Sequence, residues 1–425
     1  MSLAKPQQLS SRTRSTARRP LSAPLRLCAG VTLSLLAAAC TVETGDSDED
    51  DYPVLPAAGD DVGGTGGTGA AGNTGGTGNA GAGDTGTCPS TTADCDGDGT
   101  CETDLSSNEH CGACGNACTP SGECSYGGCV EPLSSSYVCA MAKDESATYF
   151  LLRDPNDHHT VQRLPNGGGP LQEVASASID WCYRTSMAVD GEEIYVANVE
   201  SGNVVVRAMP KSGGFFSILD SYAPASTHDT SVGSDGVFVY WTGDDGIYRA
   251  PIGYGSGQLW VKTYCAYHMV VSAGTVYWSC PSQTQGFPTG SFGRRSTSDG
   301  PELDFNFEKL GPADSPAVFT VDSSGLYWES WGSLRSLSLS GGAETVLATG
   351  DFGSTSGIDV DASRVFFSGY STEIHESRVF QVPKSGGSAV IVGDPGTDEV
   401  HGDHVASDGS NVYAGSDGLF QLAAR

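Results

Sequence analysis

The sequence predicts an all-β chain in which residues 131–425 close into a seven-bladed β-propeller, with six blades as the alternative. A disulfide-rich module (88–130) and a disordered Gly-rich linker precede it. Three observations predict this. An apolar-aromatic pattern recurs: the residues ending its first strand run from Asp144 to Asp408, six intervals over 264 residues, a period of 44. That is the length of a four-stranded blade. Two turns are nearly verbatim, Pro210-Lys211-Ser212-Gly213-Gly214 and Pro383-Lys384-Ser385-Gly386-Gly387. No stretch sustains a helical hydrophobic period.

Within each repeat, an apolar alternation ends at Asp144, Asp190, Asp235, Ala273, Asp322, Asp361 or Asp408. A second strand follows, marked by Tyr149-Phe150, Tyr195-Val196, Tyr240-Trp241, Tyr277-Trp278, Tyr327-Trp328, Phe366-Phe367 and Tyr413-Ala414. Short β-branched and aromatic runs between Gly, Ser and Asp turns read as strands. Third strands are expected at Val204–Met209, Gly246–Ala250, Ser333–Leu339 and Arg378–Val382. Gly/Pro turns lead to fourth strands such as Phe216–Leu219 and Glu344–Leu347. The fourth repeat carries an insertion around Gln283–Pro301. The last repeat stops at its third strand, Leu419–Leu422, so residues 128–136 are expected to supply the missing one and spare the ring a bare edge.

Tyr240-Trp241-Thr242-Gly243 resembles the Tyr-Trp-Thr-Asp motif of low-density-lipoprotein-receptor-type propellers. The Asp, Tyr-Trp and Pro-Lys-Ser-Gly-Gly rhythm is similar to that of NHL-type and related bacterial propellers. The receptor propellers have six blades, which this count of seven departs from. The resemblance implies a fold and leaves function open.

Residues 1–39 read as a signal peptide. Lys5, Arg12, Arg14, Arg18, Arg19 and Arg26 precede or flank the apolar run Leu25–Ala39, which is shorter than the ~20 residues a membrane span needs. The long basic segment also fits a true start downstream of Met1. Leu35-Leu36-Ala37-Ala38-Ala39-Cys40 resembles the lipobox of bacterial lipoproteins, although Ala37 stands where that family usually has Leu. The resemblance implies cleavage before Cys40 and its lipidation, hence an outer-membrane or cell-surface anchor. Residues 41–87, almost wholly Gly, Ala, Thr, Asp and Asn, cannot bury enough surface to offset ordering entropy and read as a flexible tether.

The whole chain has 22 basic and 51 acidic side chains, and the six basic groups of the signal would be lost. An acidic mature chain is unsuited to nucleic acid or anionic lipid, whose binding needs Lys and Arg. A monomer with a protein or glycan ligand is the expectation.

Eight cysteines crowd one short segment: Cys88, Cys95, Cys101, Cys111, Cys114, Cys118, Cys124 and Cys129. So short a segment needs staples, and an even count in an exported chain favours disulfides. Cys111, Cys114 and Cys118 also have zinc-ligand spacing. Asp94, Asp96 and Asp98 followed by Gly99 have the spacing of a calcium loop, but its closing position holds Leu105, with Asp104 one place early. Calcium and a disulfide-bound acidic turn are both open. The run from Cys95 to Cys118 resembles Cys-rich modules of predicted surface lipoproteins of myxobacteria, which implies an extracytoplasmic spacer or adhesive module. In the propeller, Cys139 is expected to pair with Cys182 and Cys265 with Cys280.

Aligning the repeats puts His268 and His404 at one position before the inner strand, with His228, Asp229, Arg184, Tyr267, His401 and Asp403 nearby. No catalytic residue is assigned; His268, His404, His401 and Asp403 are candidates for metal binding or acid–base work, against channel-mouth polar groups bonded to water and loops. Tyr254 and Trp260, in apparently irregular loops, fit either binding or packing. There is no Gly-x-Ser-x-Gly, His-Glu-x-x-His or phosphate-loop motif. Two functions follow: a cell-surface or periplasmic lipid-anchored binding or scaffold protein displaying the propeller, or an extracytoplasmic lyase- or hydrolase-type enzyme with a His site on the loop face. Convergence of those polar groups would favour the enzyme.

Overall fold

The computed structural model describes residues 88–425 apart from 178, 180–181, 183, 225–229, 254, 282–289, 305–306, 314–315, 354, 372–375, 394–403 and 424–425. The signal peptide, Cys40 and the linker lie outside the described residues, as do His228, Asp229, Tyr254, His401 and Asp403. All regular structure described is β, and none of it is a helix long and apolar enough to cross a membrane.

Seven sheets form a ring. In blade three, Val232–Ser234, Phe238–Gly243, Gly246–Pro251 and Gln258–Lys262 run antiparallel from the inside outward. Blades one, two, four, five and six repeat this order from inner strands Tyr137–Lys143, Ser186–Asp190, Met269–Ser272, Phe319–Val321 and Ile358–Val360. Blade seven takes His404–Ser407, Asn411–Gly415 and Leu419–Ala423 from the C-terminus and Gly128–Ser134 from the N-terminal side. This closing strand pairs Val130 with Leu422 and Pro132 with Phe420. It lies within the expected 128–136. A fifth strand, Glu123–Ser125, covers its outer edge.

The expected insertion in repeat four contains that blade's third strand, Ser291–Ser296, paired with Thr275–Cys280. Arg294, Arg295 and the surrounding Gly and Ser hide its alternation. Trp260, placed in a loop by sequence, lies instead in the fourth strand of blade three. It is fully buried, and its indole N–H donates to the Asp299 carbonyl at 3.1 Å.

The ring has a separate apolar core at each of its seven blade–blade interfaces, because every sheet is covered on both faces. This explains the paired residues. Consecutive side chains on a strand point to opposite faces. Tyr240 therefore packs in the core shared with blade four and Trp241 in that shared with blade two. Tyr277 and Trp278 divide between blades five and three, and Tyr327 and Trp328 between blades six and four.

The recurrent Asp ends the inner strand and organises the next turn. One oxygen accepts the N–H groups two and three residues on, as Asp144 does from Ser146 and Ala147 at 2.7 and 2.9 Å and Asp408 from Ser410 and Asn411 at 2.8 and 2.7 Å. The other reaches outward. Asp144 Oδ2 meets Lys211 Nζ of the next blade at 2.6 Å, and Asp322 meets Lys384 in the same way. Both lysines come from the repeated Pro-Lys-Ser-Gly-Gly turns. Blade four has no Asp here and turns instead through Ala273 and Gly274, both at positive φ. At the seam, Lys143 of blade one bonds Asp359 of blade six and the Ser407 carbonyl of blade seven.

Burial works to raise the Asp144 pKa, but Lys211, Ser146 and the two amides outweigh it and hold the carboxyl at about 2. A depressed carboxyl contributes stability above its unfolded pKa and loses it as pH falls through the folded value. Asp144→Asn is expected to cost about 1–2 kcal/mol at pH 7, less as pH falls from 4 to 2, in urea titrations across that range. Equal losses at pH 7 and pH 2 would refute the charge-based account.

Candidate functional site

Two regions gather the residues singled out by sequence. In the N-terminal module, four disulfides join Cys88–Cys101, Cys95–Cys114, Cys111–Cys124 and Cys118–Cys129. Cys111, Cys114 and Cys118, with their zinc-like spacing, thus belong to three different bridges. Cys118–Cys129 ties the module to the closing strand. In the propeller, Cys139 pairs with Cys182 and Cys265 with Cys280.

The acidic loop lies between the first two bridges. Carboxylate oxygens of Asp94, Asp96, Asp98 and Glu102 lie within 4.8 Å of one another. Asp94 accepts N–H bonds from Gly97, Asp98 and Gly99 at 2.7, 3.2 and 2.8 Å, which folds the loop around its carboxylate. Gly97 and Gly99 take φ of 80° and 90°, a conformation that favours glycine. Thr100 side-chain and backbone bonds lower the Asp98 pKa. The fourth carboxylate is Glu102, a residue the sequence reading did not single out; Leu105, at the closing position of a calcium loop, and Asp104 lie outside the group. Asp104 instead bonds Ser106 and pairs with Thr92. Alternate-residue spacing continues from Asp98 through Thr100 to Glu102, a signal readable without the structure. Four oxygen ligands this close can hold a hard divalent cation.

The second region is the end of the propeller where each inner strand begins. His268 stands just before the inner strand of blade four. Its ring meets Phe319 of blade five edge-on at 5.2 Å, and its buried Nδ1 has no hydrogen-bond partner. His404 begins the inner strand of blade seven and lines a small crevice with Ser368, Arg378 and Ser416 at the boundary with blade six. Both residues are half-buried. Desolvation lowers both pKa values to about 4; for His404 a bond to the Cys139 main chain opposes it. Tyr267 donates its N–H to the Ser279 carbonyl at 3.0 Å, and the Arg184 carbonyl accepts from Thr230 Oγ1 at 2.7 Å. His268 and His404 are three blades apart in a ring of seven. Among the described residues, neither joins a group of three or more close His, Cys, Asp or Glu ligands. Cys139, His159 and Cys182 do form such a group, at the boundary of blades one and two, with the two sulfurs joined.

No protein-family model and no curated protein matches the chain. Among solved structures, the computationally designed Ika8 protein aligns at a TM-score of 0.44 and 10% identity, over 68% of this chain and 97% of that one. The nidogen/laminin complex aligns at 0.37 and 13%, over 48% of this chain and 77% of that one.

A histidine with a depressed folded pKa is neutral in the native state above about pH 4, while the unfolded chain takes up protons from about 6.5. Its contribution is therefore complete above pH 6.5 and lost as pH falls toward 4. His268→Gln and His404→Gln are each expected to flatten the acid-side loss of unfolding free energy between pH 6.5 and 4, by about 2 kcal/mol per site in urea titrations. Profiles parallel to wild type would show that neither ring titrates as argued.

Proposed function

We propose that the chain is an exported, lipid-anchored binding or scaffold protein, a monomer that displays its propeller from the cell surface on a flexible tether. The closed ring carries this reading. Seven blades joined through apolar cores and charged bonds hold their loops in fixed relative positions, which suits recognition without a chemical step. Six disulfides fit an oxidising compartment. The Cys40 lipobox supplies the anchor and the acidic charge disfavours nucleic acid. Calcium held by Asp94, Asp96, Asp98 and Glu102 belongs to the proposal, as a brace for the module rather than a reactive centre. A second reading, an enzyme of the loop face, draws on the unpartnered Nδ1 of His268.

Membrane-impermeant biotin on intact cells is expected to label the wild-type chain, and Cys40→Ser to abolish fatty-acid incorporation and free the chain from the membrane. Labelling only after lysis would remove surface display. Calcium is expected to raise the melting temperature of the purified chain, and Asp96→Asn to cancel the rise; an equal rise in both would exclude this loop.

A further inference from the structure

We infer that Trp331, at a hairpin tip of blade five, is a stacking platform for a neutral glycan. The inference rests on the reading of the chain as a binding protein and names its ligand class. Trp331 and Gly332 form the two-residue turn between Leu326–Ser330 and Ser333–Leu337, with Ser330 opposite Ser333. In an antiparallel blade this hairpin lies at the end where the inner strand begins, the end that carries His268 and His404. Trp331 is 83% exposed.

The backbone makes this residue choice informative. Trp331 has φ of 51° and Gly332 of 75°, so both central residues are left-handed. That conformation suits Asn, Asp or Gly at the first position and is an outlier for a bulky side chain. Blade two makes the same turn with Ser201 at 50° and Gly202 at 79°, between Glu200 and Asn203. The fold therefore needs no aromatic there. A strained, solvent-facing tryptophan where a small polar residue suffices points to a role outside folding.

The base of the hairpin is fixed. Gly332 donates its N–H to Glu329 Oε1 at 2.7 Å, and the Gly332 carbonyl accepts the Gly350 N–H at 3.0 Å. Glu329 is itself buried, 7% exposed, so the clamp is shielded from water. An aromatic ring on a rigid mount loses little freedom when a ligand covers it.

The occupant follows from surface chemistry. One ring beside the half-buried Gly332 and Ser333, with Ser330 buried beneath, is far short of the ~1,200–2,000 Å² that a specific protein interface buries. The net charge of −29 disfavours polyanions. The negative π face of an indole favours C–H-bearing or cationic partners. A neutral pyranose offers one apolar C–H face of about ring size and a rim of hydroxyls for the polar neighbours.

The test is calorimetry on the full-length chain in lipid nanodiscs. The probes are hexasaccharides of β-1,4-glucose, β-1,4-N-acetylglucosamine and α-1,4-glucose, with polygalacturonate and polylysine as charged comparisons. Saturable binding of at least one neutral hexasaccharide is expected, weakened at least about tenfold by Trp331→Asn and less by Trp331→Phe. Trp331→Asn should melt no lower than wild type, because Asn suits the turn. No neutral binding, or equal binding by Trp331→Asn, overturns the inference. So does Trp331-dependent binding of a charged polymer alone. If intact cells are labelled while Trp331→Asn changes nothing, only the glycan site falls and display stands; Trp331-dependent glycan binding by a chain labelled only after lysis would separate them the other way.

Discussion

Every blade depends on its two neighbours, and the constraint is visible in two adjacent side chains. In Tyr240-Trp241 one ring is buried against the following blade and the other against the preceding blade. No sheet has a private core, so a blade removed from the ring exposes both faces. Closure is therefore a condition of the fold's stability, and charged contacts cross the blade boundaries. Lys143 binds across blades seven and six, while the Asp144–Lys211 and Asp322–Lys384 pairs join consecutive blades. Each pair is small beside the burial of a tryptophan, but each opposes sliding between blades, which nondirectional apolar contact does not.

Much of this architecture was legible because it repeats. The 44-residue period, the alternating aromatic pair and the terminal Asp are local features and survive in one dimension. The missing fourth strand was legible too, since a ring cannot end on three. What escaped has long-range causes. The lysine of the Pro-Lys-Ser-Gly-Gly turn reads as a loop residue until the preceding blade brings an Asp to it. The third strand of blade four, with Arg294 and Arg295, lacks the apolar alternation of its counterparts. Trp260 looked like a loop residue because its strand is short and follows Gly253, Gly255 and Gly257.

The site was legible to a lesser depth. Repeat alignment set His268 and His404 at equivalent positions, and the ring separates them by three blades for that same reason. Equivalence in a cyclic fold disperses residues around the axis. Residues that converge come from one loop, as Asp94, Asp96, Asp98 and Glu102 do. Trp331 is conspicuous only once the left-handed turn around it is seen, because an isolated tryptophan in a strand-rich sequence reads as core.

The closing strand also imposes an order on assembly. Its partners, Leu419–Ala423, are made after nearly all of the intervening chain, so a contact of very long sequence separation completes the ring. Such contacts are slow to form and leave unpaired edges waiting in the meantime. The four-disulfide module has all its cysteines in hand by residue 129, long before blade seven exists, and Cys118–Cys129 grips the strand at its start. The module is thus bonded covalently to the strand on which the ring closes, so the seam's longest-range contact is anchored at one end by a disulfide.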